Sequence, residues 1–206
     1  MVEILEKWIL GSIYVGEITG SSPVNKIQEK TKVSEDIINA KIDLLVANQL
    51  VDKDRKTLTE IGRNSIKVVL AGGVFDIIHP GHIHTLNAAK RLGDVLVVVV
   101  ATDNTAVRMK KRRPLHSQEQ RQELVNSLNM VDLCLVGQED DIFKTVNLVR
   151  PQVIALGYDQ AHQEKFIKDG CIRIGLDAKV ARLQSPIPES SSSKIQKEYG
   201  KAIHGI

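Results

Sequence analysis

Cysteine is scarce in this chain. Only Cys134 and Cys171 occur, far apart and in no CxxC or metal-ligand pattern, which reads as two free thiols in a reducing compartment. Long apolar runs are missing as well. LVVVVA at 96–101 has the length of a strand, whereas a membrane span needs ~18 residues. The opening segment, MVEILEKWILGSIYVGEITG, mixes acids into its apolar positions and has no basic leading stretch, unlike a secretory signal. A cytoplasmic protein with no membrane association is expected. Charge is nearly balanced, at +3, so the bulk composition does not mark a nucleic-acid binder. Aromatic residues make up only 3% of the chain, leaving few platforms on which a flat ring could rest. No GxxxxGK[ST] is present, which excludes a P-loop.

The 206 residues suffice for one ordinary domain plus a small one, and the texture changes near Ile66. Before it, Ile4, Leu5, Trp8 and Ile9 have helical spacing. Pro23 begins a short second helix, PVNKIQEKT, where proline is tolerated. Ser34 is an N-cap candidate for SEDIINAKIDLLVANQ, with Glu35 and Asp36 in the first turn and Ile37, Ile38, Ile42, Leu45 and Val46 on one face. LVDKDRKTLTEIGRNSI then reads as strand, charged turn, strand and helix start. Residues 1–65 are thus expected to form a small α+β domain that resembles a winged helix. Up to Ile66 there are nine Lys/Arg against ten Asp/Glu, a net −1, so the domain has no excess charge for phosphates. A module for homodimerisation, or for contact with the following domain, is favoured over DNA binding.

From 66 to 206 the pattern is α/β. IKVVLAG, VLVVVVATD, LCLVGQ, VIALGYD and KVARL are short runs with little alternation, as in a sheet buried on both faces. HIHTLNAAKRLG, SQEQRQELVNSLN, DIFKTVNLV and AHQEKFIKDG between them are helical. This order predicts a doubly wound, Rossmann-like parallel sheet with right-handed crossovers. Its ligand crevice should lie beyond the carboxyl ends of the strands, where the turn GGVFD follows the first strand.

The stretch GGVFDIIHPGH, 72–82, carries the chemistry. Gly72 and Gly73 permit close backbone approach, and Val74 and Phe75 follow with free N–H groups. The helix after Pro80 and Gly81 opens with unpaired N–H groups and a positive dipole end. His79 and His82, three apart, point to one side of its first turn. Such donors suit a pentavalent phosphorus, whose charge spreads over equatorial oxygens; each is worth ~3–4 kcal/mol in comparable sites. Phosphoryl-type transfer asks mainly for positioning and charge stabilisation. Zinc binding lacks a third ligand near the two histidines, and no protein metal site is expected. Ordinary surface or capping histidines are the plain alternative.

GGVFDIIHPGH resembles the GxFDxxHxGH signature of the cytidylyltransferase-like nucleotidyltransferases, which join a nucleoside triphosphate to a phosphate ester and release pyrophosphate. The likeness extends over about 66–196: DNTAVRMKKRRPLHSQEQRQELVNSLNMVD resembles the family's basic loop and EQR helix, and SSSSKI at 190–195 its ISTTxI-type motif. It implies that His79 and His82 contact triphosphate oxygens and that Val74, Phe75, Pro80 and Gly81 belong to the nucleotide-holding turn. Lys111, or Lys110, would bridge phosphates, with Lys111 preferred. Arg121 would reach the ligand or brace the loop. Ser191, Ser192 and Ser193 would hold the β and γ phosphates. SPIPESSSS replaces the family's fuller RTEGISTT form, so contacts of that arginine do not carry over. By themselves a KKRR run reads as a solvated loop and a serine run as a linker. Mg²⁺ is expected on the triphosphate, needing few protein ligands.

The family acts on choline, glycerol and heptose phosphates, phosphopantetheine and FMN. VIALGYDQ, 153–160, puts Asp159 in the loop after the fourth strand, where base and sugar would be read; capping the next helix is its plain alternative. Its LGYDQ resembles the archaeal-type FAD synthases, implying ATP and FMN as substrates. The alternatives are transfer from CTP or ATP to glycerol 3-phosphate or another polyol or sugar phosphate, and a nucleotide-sensing winged-helix regulator.

Overall fold

The computed structural model describes residues 3–184 and 195, without the side chains of Lys30 and Asp159. It divides into two units, Met1–Lys67 with 93–95, and Val68–Leu92 with Leu96–Ile206.

In the first unit α1 (Ile4–Thr19), α2 (Pro23–Thr31) and α3 (Glu35–Ala47) precede the short α4 (Glu60–Asn64). Ile9, Leu10, Ile13, Ile27, Ile38, Ile42 and Leu45 are buried. The face expected on α3 is narrower than its apolar residues allow: Ile37 is 53% exposed. Ser34 occupies the N-cap position but its hydroxyl makes no cap bond. The expected strand pair reduces to one antiparallel bridge, Val51↔Leu58. Local chemistry explains this. Asp54 accepts from the backbone N–H groups of Lys56 and Thr57, and side chains that capture backbone donors compete with a ladder.

The second unit is built on β1 (Val68–Gly73), β2 (Val95–Val100), β3 (Leu133–Val136), β4 (Val153–Leu156) and β5 (Lys179–Arg182), in the order β3-β2-β1-β4-β5. The pairs β1–β4, β2–β3 and β4–β5 are parallel. Between strands run α5 (Pro80–Lys90), α6 (Asp103–Lys110), α7 (Gln118–Asn126), α8 (Ile142–Val149) and α9 (Glu164–Arg173), with a 3-10 turn at Tyr158–Gln163 before α9. The doubly wound parallel sheet is therefore as expected, and all four residues of β4 are buried. Lys179 and Arg182 of β5 are exposed, which suits an edge strand. The order reverses between β1 and β4, so their carboxyl ends open the crevice.

One helix departs from the sequence reading. Residues 103–110, expected as the start of a basic loop, form α6. The Thr102 hydroxyl caps it by accepting the Thr105 N–H, Asp103 lies in its first turn, and Arg108 and Lys110 lie in its last. Ala106 is its buried residue, so no apolar stripe betrayed it.

Candidate active site

The carboxyl end of β1 runs into a strained turn. Phe75 has φ +52, a left-handed conformation that costs a non-glycine residue about 1–3 kcal/mol. The turn brings its ring back over Gly73, where an added Cβ would stand 2.9 Å from it. Glycine is thus demanded at 73, whereas at 72 a Cβ would meet ordinary contacts. The N–H groups of Val74 and Phe75 make no hydrogen bond among the described residues. The Phe75 ring stands 5.1 Å from that of His82, and His82 stands 3.8 Å from His79, centroid to centroid.

His79 is the N-cap residue of α5 and Pro80 opens the helix. The Nδ1 atoms of both His79 and His82 are buried without a hydrogen-bond partner among the described residues. Burial drives the His82 pKa down to about 4, with His79 and the Lys110 charge pushing the same way. A hydrogen bond with the Ile77 backbone opposes this in part. His79 is lowered by burial first and Lys110 second. Both rings are therefore neutral at pH 7 in the free protein. An anion beside them would favour their charged forms and draw protons in.

These residues line a cleft of about 460 Å³. Val74, Phe75, Gly81 and Lys110 also line it. Lys111, the lysine preferred from sequence, does not: it is the left-handed C-cap of α6. Asp159 lies in the 3-10 turn that closes the cleft, and its side chain lies outside the described residues, as do Ser191, Ser192 and Ser193. Tyr158, Gln160, His162 and Gln163 from the same turn line the cleft and were not singled out from sequence.

Arg121 braces. It is 0% exposed and donates to the carbonyl oxygens of His116 at 3.0 Å, Val74 at 2.6 Å and Ala101 at 2.9 Å, and to Asp103 at 2.7 Å. One buried guanidinium thus ties the β1 turn, the β2 end, the start of α6 and the approach to α7. Asp76 does comparable work. It is 1% exposed, pairs with Arg112 at 2.7 Å and accepts the Leu115 N–H at 2.6 Å. A buried carboxylate needs such a partner. The aspartate of the FD pair and an arginine of the KKRR run were its visible traces in the sequence.

A second space adjoins the first. About 410 Å³ in volume, it shares Gly72, Gly73, Met109, Gln160 and Gln163 with the cleft. Its remaining wall is largely apolar, from Val99, Ile142, Val146, Phe166 and Ile167. Met109, Ile142 and Phe166 are exposed at this slot, and exposed apolar clusters mark binding surfaces. Gln160 holds the boundary: its amide nitrogen donates to Gly72 O at 3.1 Å, and its amide oxygen accepts the Gly157 N–H at 2.8 Å.

With the paired histidines at the switch point, the match of residues 70–198 to the family model described as "Cytidylyltransferase-like" is decisive. The chain belongs to the cytidylyltransferase-like family. It is similar to the FAD synthase of Picrophilus torridus, 48% identical over 125 residues covering 61% of this chain and 89% of that protein. The FAD synthase of Methanosarcina barkeri is 43% identical over 135 residues, 65% of this chain and 96% of its own length. A solved structure described as a lipopolysaccharide core biosynthesis protein, from Thermoplasma volcanium, superimposes with a TM-score of 0.56 at 42% identity, covering 58% of this chain and 98% of that one. Among the described residues no helix is long and apolar enough to cross a membrane.

Proposed function

We propose that this protein is an FMN adenylyltransferase that makes FAD and pyrophosphate from ATP and FMN. A phosphate oxygen of FMN attacks the α-phosphorus of ATP. The bond from that phosphorus to the α,β-bridging oxygen breaks, and pyrophosphate leaves with the bonding electrons. His79, His82 and Lys110 supply donors to the charge that develops on phosphate oxygens, and the free N–H groups of the β1 turn supply more. Arg121 and Asp76 keep that turn and the basic loop in place. Ser191, Ser192 and Ser193 are proposed to receive the β and γ phosphates, and Asp159 to read the nucleoside.

The observation that carries the FMN assignment is the apolar slot beside the histidine cleft. The cleft suits a polyphosphate and the slot suits a flat, weakly hydrated ring. Its volume of about 410 Å³ lies at the small end of ligand sites, which span roughly 300–1,000 Å³. Relatives named FAD synthase support the same reading. A sugar- or polyol-phosphate acceptor is the second reading, favoured by the name of the Thermoplasma volcanium structure. Such an acceptor would leave the apolar wall unused.

A divalent cation is expected with the triphosphate, and Mg²⁺ is the ion proposed. Among the described residues no group of three His, Cys, Asp or Glu could hold a metal, and Asp76 is committed to Arg112. The donor set fits an ion carried mainly by phosphate oxygens and water. When bound it would neutralise charge on the leaving pyrophosphate. The buried, unpaired cysteines suit a cytoplasmic location. Residues 1–65 are proposed as a separate winged-helix-like domain with no part in the chemistry.

Pyrophosphate release with Mg²⁺, crossing ATP and CTP against FMN and glycerol 3-phosphate, tests the assignment. Release with ATP and FMN alone, with FAD formed, is expected. Release with glycerol 3-phosphate would move the protein to the polyol reading, and release with none would revive the nucleotide-sensing regulator.

A further inference from the structure

The apolar slot contains one polar group that the fold leaves unused. Thr145, in the middle of α8, lines the slot and is 5% exposed. A helical threonine ordinarily returns its hydroxyl to the carbonyl one turn back, and two threonines among the described residues do so. Thr19 donates to Val15 O at 2.9 Å and Thr31 to Ile27 O at 2.7 Å. Thr145 makes no hydrogen bond to any described residue. The slot's other polar side chains are engaged or wet. Thr102 donates to Thr105, Gln160 spans Gly72 and Gly157, and Gln138 is exposed. The residue is buried, yet its hydroxyl oxygen is not one of the fully buried atoms left without a partner; it keeps access, and a polar group in an apolar wall is the pattern of a ligand site, where few polar groups set orientation.

We propose that the Thr145 hydroxyl is the specificity contact of the slot, hydrogen-bonding the polar edge of a planar aromatic ring carried by the phosphate ester. Hydroxyls both donate and accept, so a single threonine can face a carbonyl or a ring N–H. On the FMN adenylyltransferase reading, on which the identity of the ring rests, the partner is the imide edge of the flavin. The apolar walls would hold the ring by area. Thr145 would reject flat molecules of the same size without a matching edge, because they leave its hydroxyl unpaired.

The test is flavin-fluorescence titration of the full chain, with FMN and with N3-methyl FMN, in the wild type, Thr145→Val and Thr145→Ser. Thr145→Val keeps the shape and removes the hydroxyl. It is expected to weaken FMN binding about tenfold, the scale of one net hydrogen bond, and to lose the preference for FMN over N3-methyl FMN. Thr145→Ser should keep that preference, and the KM for ATP should be unchanged in both variants. Equal FMN affinity and equal preference in the wild type and Thr145→Val would overturn this proposal while leaving the FMN reading intact. No binding of FMN by the wild type would overturn both.

Discussion

The histidine cleft and the apolar slot meet at the end of β1, yet they are assembled in opposite ways. The cleft takes its centre from eleven consecutive residues, 72–82, which hold the turn, both histidines and the helix start. The slot draws on β1, β2, α6, α8, β4 and α9, spread along the chain from residue 70 to residue 167. Charge on phosphorus demands particular donors at particular spacings, and that demand leaves a signature. An apolar wall demands only bulk and shape, which many residues supply. The cleft is therefore the part recognisable across a family, and the slot is the part free to set the acceptor.

If that division is right, substitutions should separate the two regions. His82→Ala is expected to leave the fold intact and lower turnover at least ~100-fold, as when one charge-stabilising donor is lost. Steady-state kinetics on a variant with unchanged circular dichroism checks it, and near-normal turnover would remove the role given to the cleft.

Gly170→Ala should do the reverse. A Cβ there would stand 1.7 Å from the Phe143 ring, which is buried under α9 and lies 5.4 Å from the Phe166 ring. Overpacking of this kind costs about 1–3 kcal/mol. Thermal unfolding should show that loss, and the KM for FMN should rise while the KM for ATP holds.

Lys110→Ala should lower kcat/KM about tenfold, the weight of one charge-assisted contact, with Lys111→Ala close to wild type. Equal losses in both would contradict the placement of Lys110 beside the histidines.

The smallest expected effect is a pH dependence. The free His82 pKa is about 4, below its unfolded value, so the unfolded chain takes the proton first. Stability from this group is present above about pH 6.5 and is lost as pH falls toward 4. A bound triphosphate raises the same pKa, so binding takes up protons and tightens as pH falls from 8 to 6, by at most about tenfold per unit for one proton. Calorimetry in two buffers of different ionisation enthalpy would measure the uptake, which His82→Ala should reduce.

Much of the fold was legible. The five apolar runs became the five strands, and Pro23–Thr31 became α2 with the bounds the sequence suggested. Failures had local causes. Helix α6 has too little buried surface to print a period, and the Val51–Leu58 pair lost its ladder to aspartate side chains. Scarcity of aromatics argued mildly against a flavin, but two of the three phenylalanines of the α/β unit, Phe143 and Phe166, pack together where the slot forms. A percentage says nothing about where side chains gather.

What the sequence determined by itself was the candidate reaction centre, since a turn, two histidines and a helix start lie within one short stretch and local geometry suffices to orient them. Tertiary structure decided the rest. It put Lys110 rather than Lys111 in the lining of the cleft, Lys111 being the left-handed C-cap of α6. It set Arg121 as a brace, because four acceptors from separate segments converge on one buried guanidinium. It made the slot and put Thr145 in its wall, because only packing brings 72, 109, 145 and 166 around a common space.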